Sequence, residues 1–149
     1  MTTWFIDNLA RIHVDGESSG GELALVELVG REGDMPPLHV HRVEDETFYV
    51  LEGRMSLHVG GREPIGLVAG QSALAPRGVP HAYRVESETA RWLVATTPAG
   101  FDSFVREVGE PAPVDELPPP GRPHDLAALE AASARHGIEL LGPPGTLPA

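Results

Sequence analysis

Four side chains of this sequence could share one cation: His39, His41, Glu46 and His81. His39 and His41 are two apart, and residues on a strand alternate faces with a period of two, so both imidazoles point the same way. They can grip one ion between them. Glu46 and His81 can complete a set of three nitrogens and one oxygen. Such a set suits a divalent transition metal and leaves coordination positions open for a substrate. Taken singly these signals are weak. A bare His-x-His pair occurs on strand surfaces by chance, and Glu46 lies in an acidic run with Glu44 and Asp45 that reads as a solvated face. The joint spacing carries the weight. Five residues separate Gly33 from His39, four separate His41 from Glu46, and six separate Glu46 from Gly53. Five more separate Gly70 from Pro76, one separates Pro76 from Gly78, and two separate Gly78 from His81.

Short strands must hold these residues. Strand-like runs begin at Glu22–Val29 and continue through Leu38–Arg42, Thr47–Leu51 and Met55–Val59. Ser72–Ala75, His81–Val85 and Arg91–Thr96 complete the series. Gly60-Gly61, Gly66–Gly70 and Pro76-Arg-Gly78 separate them as turns, although the strand after Gly60-Gly61 is poorly marked. This rhythm predicts an antiparallel sandwich or barrel. If Glu46 points inward, so do Phe48 and Val50; if His81 does, so do Tyr83 and Val85. These four are the expected substrate-pocket wall, and ordinary core packing is the equal alternative for the two rings. Trp4, Phe5 and Ile6 are expected as an added edge strand, a dimer contact or a plug for the barrel floor. Arg77 reads as a solvent turn, and His13, His58, His124 and His136 lack ligand spacing.

The pattern changes after Pro98. Phe101, Phe104, Val105 and Val108 recur at helical spacing and predict a short helix over 100–108. Six prolines among the thirteen residues from Pro111 to Pro123 predict an extended strap. Asp125–His136 reads as a helix with Asp125 as N-cap and Gly137 as its stop. The expected organisation is a barrel over 1–109, with its N-terminal strand and short helix, followed by a Pro-rich peripheral strap with one short helix over 110–149.

Composition sets the outer limits. A chain of 149 residues favours one domain with a real core. Its 17 Gly and 15 Pro favour many turns over a helical bundle. A net charge of −11 repels phosphate backbones and anionic lipid, so neither nucleic acid nor a membrane surface is expected as a partner. The absence of Cys excludes disulfides, thiol catalysis and thiolate metal sites. There is no basic-then-apolar leader and no apolar run near ~20 residues, so a cytoplasmic location is expected.

The paired motifs Gly33–Gly53 and Gly70–His81 resemble the two motifs of the cupin superfamily at every position but one. That second motif ends in Asn, whose place falls here on Val85; the Asn is structural and does not bind metal. Thr47-Phe-Tyr-Val-Leu-Glu-Gly53 and, more loosely, the tail from Pro98 look like the small bacterial cupins of the quercetin-dioxygenase-like group. The resemblance implies an all-β double-stranded β-helix, or jelly-roll barrel, with a short C-terminal helical tail. It implies one divalent metal (Fe, Mn, Ni, Cu or Zn) on His39, His41, Glu46 and His81, and a homodimer. Three activities follow from such a site. One is a dioxygenase-type oxidoreductase acting on a small enolisable or aromatic substrate, with Glu46 as catalytic base. Another is a non-redox cyclase or isomerase of the polyketide type. The third is a non-catalytic module that binds a small ligand, which the absence of a helix-turn-helix signal disfavours for a DNA-bound sensor.

Overall fold

The computed structural model describes all 149 residues. In chain order the elements are β1 (Thr3–Phe5), β2 (Asn8–Val14), β3 (Ala24–Arg31), β4 (Pro37–His41), β5 (Asp45–Glu52) and β6 (Arg54–Val59). Next come β7 (Ile65–Val68), β8 (Ser72–Ala75), β9 (His81–Val85), β10 (Thr89–Thr97), α1 (Phe101–Val108) and β11 (Glu110–Pro111), then α2 (Leu126–Arg135) and β12 (Ile138–Pro144). Two antiparallel sheets result, in the orders β11-β1-β2-β3-β10-β5-β8 and β12-β4-β9-β6-β7. This is the jelly-roll arrangement expected from the sequence.

Period-two alternation sets which residues meet inside. Ala24, Val26, Leu28 and Gly30 face inward from β3, while Ala90, Trp92, Val94 and Thr96 do so from β10. Register then places Val94 beside Phe48 and Thr96 beside Glu46 on β5. The core runs from Trp92, Phe48 and Leu57 at the sheets to Phe5, Phe101 and Phe104 under α1. Phe5 meets both helix rings edge-on, at 5.7 Å between centroids. The turn after β5 needs Gly53, whose φ of 82° is left-handed and whose missing Cβ leaves room for the Thr89 carbonyl.

Several elements depart from the sequence reading. Strands begin well before Glu22: β1 and β2 pair with each other and join the sheet through β3. The outward Arg11 and His13 of β2 pair with Asp115 and Glu27, so its polar residues are a partnered outer face. Trp4 and Phe5 lie on β1, which the two-residue β11 flanks on its outer side, so they are next to the edge and not at it, and Ile6 makes the turn that follows. β7 follows Gly60-Gly61 and pairs with β6. Asp125 caps α2 by accepting from the Ala128 amide at 3.0 Å, and Gly137 (φ 69°) ends it. After Pro111 the chain returns to the second sheet, where β12 is the edge strand and pairs with β4. Leu129, Ala132 and Ile138 from this segment are buried in the core. No helix is long and apolar enough to cross a membrane.

Candidate metal centre

The four candidate ligands come from both sheets. His39 and His41 lie on β4, and His39 stands directly opposite His81 of β9 in the same sheet. Glu46 reaches across from β5 in the other sheet. One potential ligand atom from each residue lies within 4.8 Å of all the others. His41, Glu46 and His81 are buried, whereas His39 is half-buried. The His41 and His81 rings lie nearly parallel, at 10°, with centroids 5.4 Å apart, and His39 stands 4.4 Å from His81.

Glu46 Oε2 lies 3.1 Å from His41 Nε2 and 2.8 Å from His81 Nε2. These are ion-pair distances, yet neither contact has the direction of a hydrogen bond: Glu46 Oε2 and both His81 nitrogens are buried without a hydrogen-bond partner. Buried polar atoms are nearly always partnered. Here Glu46 Oε2 and His81 Nε2 crowd together, and one atom of each of the four residues converges with them, as donor atoms around a cation do, so the residues fit a metal. The neighbouring contacts fix the ring orientations. Pro37 O lies 2.7 Å from His39 Nδ1, and Glu44 Oε2 lies 3.2 Å from His41 Nδ1. When each Nδ1 carries the proton and donates it there, both Nε2 lone pairs are left for the ion.

The charges are strongly biased. Burial, followed by the neighbouring His81 and His41, pushes His39 down to about 3, so it is a neutral donor. Burial also works against the charged form of His41, but Glu46 and Glu44 outweigh it and raise His41 to about 10. Burial opposes ionisation of Glu46, yet His41 and His81 hold it well below the ordinary carboxylate range. The protein therefore builds a place for positive charge against an ionised Glu46.

Glu44 is the residue that sequence reasoning missed. It reads as one member of a solvated acidic run, but it is buried and touches His41. A Cβ on Gly100 would collide with its carboxylate, so that glycine makes its room. Arg77 does lie at the surface, bonded to Asp45 and to the Thr97 carbonyl. His124 lies on the rim of the cavity and contacts Asp7 at 2.8 Å.

The ligands open onto a cavity of about 140 Å³. Phe48 and Tyr83 are on its wall, together with Phe5, Leu28, Met35 and Val94. Val50 and Val85 do face inward but do not reach the cavity. They are fully buried in the core, because the barrel is filled by side chains at their level. One polar corner remains. Asn8 Nδ2 donates to Asp34 Oδ2 at 2.7 Å, and the Tyr83 hydroxyl spans 3.4 Å to Asn8 Oδ1 and 3.5 Å to Asp34 Oδ2. Both contacts exceed ordinary O–H···O lengths, so this donor is underused. Burial and then Asp34 hold the Tyr83 phenol well above its usual range, and it stays neutral. No arginine lines the cavity, and the chain has no lysine.

Residues 26–96, which carry all four candidate ligands on this jelly roll, match the Cupin_2 family, described as a cupin domain. The chain carries this cupin domain and resembles the quercetin-dioxygenase-like group. It is 33% identical over 111 residues, 74% of its length, to a quercetin 2,3-dioxygenase of Bacillus subtilis strain 168. It spans about a third (33%) of the length of that curated relative. Among solved structures it resembles the polyketide cyclase RemF of Streptomyces resistomycificus, with 27% identity, a TM-score of 0.53, and coverage of 62% of this chain and 66% of that one. KdgF of Halomonas sp. shares the fold at 19% identity and a TM-score of 0.58, over 66% of this chain and 86% of that one. Nine of the 24 cavity-lining residues lie beyond residue 96, outside the matched cupin segment.

Proposed function

We propose that this cupin is a metal-dependent oxidoreductase of the dioxygenase type, acting on a compact enolisable or aromatic substrate. The observation that carries the reading is the convergence of His39, His41, Glu46 and His81 beside a small, mostly apolar cavity. Likeness to a quercetin 2,3-dioxygenase supports it. A divalent transition metal held by these four residues would supply Lewis acidity and, when redox-active, electron exchange with dioxygen. The chain's own residues do the rest. Glu46, a carboxylate on the cavity wall whose Oε2 has no hydrogen-bond partner, is the residue we assign to accept the acidic proton of an enol or phenol. The Tyr83 hydroxyl can donate to a substrate oxygen. Phe48 and the aliphatic walls exclude water from reactive species.

The likeness to a polyketide cyclase favours one second reading, in which the same site drives cyclisation or isomerisation without oxygen. Metal analysis of protein purified without added metal, followed by oxygen-uptake assays with flavonols and smaller hydroxyketones, separates the two. The dioxygenase reading expects a redox-active metal and oxygen consumption. Glu46→Gln should keep most of the metal and lose turnover, because an amide oxygen can coordinate but cannot take a proton. Zinc as the sole metal, with full activity under strict anaerobiosis, would overturn the reading in favour of the cyclase.

A further inference from the structure

The cavity is closed by a part of the chain that carries none of the metal ligands. In the pairing of β12 with β4, Ile138 stands opposite His41 and Leu140 stands opposite His39. Directly opposed residues project from the same face of a sheet. Two aliphatic side chains therefore flank the two imidazoles, and both line the cavity, as does Leu129 of α2.

This wall is anchored along its approach. Trp4 Nε1 donates to the Glu116 carbonyl at 2.8 Å, Arg31 to Pro118 O at 2.7 Å, and Arg122 to Ile6 O at 2.7 Å. The Arg122 guanidinium also lies 5.1 Å over the Trp4 ring. Ile6, the acceptor, has a φ of 56°, which a β-branched residue holds only when its surroundings impose it. The path from the barrel to α2 is thus set before any ligand arrives.

We propose that α2 and β12 form the specificity wall of the metal cavity, selecting a compact ligand with an oxygen-bearing head and an uncharged apolar body. The head reaches His39, His41, Glu46 and His81; the body packs on Leu129, Ile138 and Leu140. This rests on the metal-dependent reading of the site and names its ligand class. Three observations support it. The volume of about 140 Å³ lies below the ~300–1,000 Å³ of pockets for drug-sized ligands. A hydroxyl packed on Leu129, Ile138 and Leu140 would lose its water and meet no polar side chain among these three, while Ser133 of α2, which also lines the cavity, already donates its own hydroxyl hydrogen to the Leu129 carbonyl at 2.8 Å. A second carboxylate would find no arginine or lysine there.

The test titrates the metal-bearing protein, as purified, with 3-hydroxy-4-pyranones that share one chelating head. Position 2 carries hydrogen, ethyl, hydroxymethyl or carboxylate. The ethyl compound should bind roughly 10-fold more tightly than its near-isostere hydroxymethyl, with the carboxylate weakest. Leu140→Asn should bring ethyl and hydroxymethyl within about 2-fold of each other, each affinity being taken relative to that of the unsubstituted ring in the same metal-replete variant. Ile138→Val, which removes one methylene-sized group and keeps the fold, should weaken ethyl binding by about 2- to 10-fold. Equal binding of ethyl and hydroxymethyl by the wild type would overturn the wall. So would folded, metal-replete variants that keep the wild-type preference. Failure of every pyranone to bind the metal-bearing wild type would instead sink the metal-dependent reading and, with it, the wall.

Discussion

Glu44 decides how His41 presents itself. Its carboxylate lies 3.2 Å from His41 Nδ1, in space that a Cβ on residue 100 would contest. Carboxylates behind metal-binding histidines typically contribute ~10- to 100-fold in affinity. Glu44→Ala should weaken metal binding by about that factor in a chelator-competition titration. Gly100→Ala should push in the same direction, because its new Cβ would displace the carboxylate. An affinity for Glu44→Ala within about 2-fold of wild type would show the contact to be incidental. Asp34 makes a different prediction. Burial is the first cause that raises its pKa above 3.8, with the Asn8 hydrogen bond acting the other way. A carboxyl whose folded pKa exceeds its unfolded one takes up protons on folding, so stability is lost as pH rises from about 3.8 through the folded value. Asp34→Asn keeps an acceptor for Asn8 and removes the ionisation. In urea unfolding it should gain stability relative to wild type at pH 7.5 more than at pH 4; the same difference at both would refute the assignment. The convergence of the four candidate ligands was legible because regular spacing places them. Glu44 and Asp34 were not, because their burial depends on Gly100 and on Asn8, residues far away in sequence.

Whether an element was legible depended on how its polar residues are used. β5 and β6 fall within two residues of the runs read from alternation, because one face is core and the other is more exposed, and β4 and β9 do so although both of their faces carry buried residues. α1 declared itself through Phe101, Phe104 and Val105, and α2 through its Asp125 cap. β2 was missed because its outer face carries Arg11 and His13, whose partners lie on β3 and in the Pro-rich segment. β12 was hidden by its prolines: Pro143 and Pro144 argue against a strand, yet an edge strand tolerates them because one side makes no ladder. Gly30 shows the same dependence on context. A glycine inside β3 weakens a strand considered alone, but a Cβ there would meet Asp34 Oδ2 at 2.8 Å and Asn8 Nδ2 at 3.0 Å. The polar corner of the cavity needs that space.

At the scale of the whole molecule the question is whether residues 110–149 form a separable strap. The sequence places a boundary at about residue 109, where strand rhythm ends and prolines gather. The packing argues for one cooperative unit. Cutting the chain after Gly109 would remove β12 from beside β4, so the strand that carries His39 and His41 would become an unpaired edge. It would also take Leu129, Ala132 and Ile138 out of the core. Full burial of Leu129 and Ile138 contributes about 1.5–3 kcal/mol each. Their loss alone is of the order of half of a ~5–15 kcal/mol domain stability, before the lost ladder hydrogen bonds are added. The truncated protein should unfold at a lower temperature and with less cooperativity by circular dichroism, and should retain well under one metal per chain after gel filtration. A truncated chain that melts like the full one and keeps its metal would show the tail to be a strap, and would place the whole determinant of the metal centre within residues 1–109.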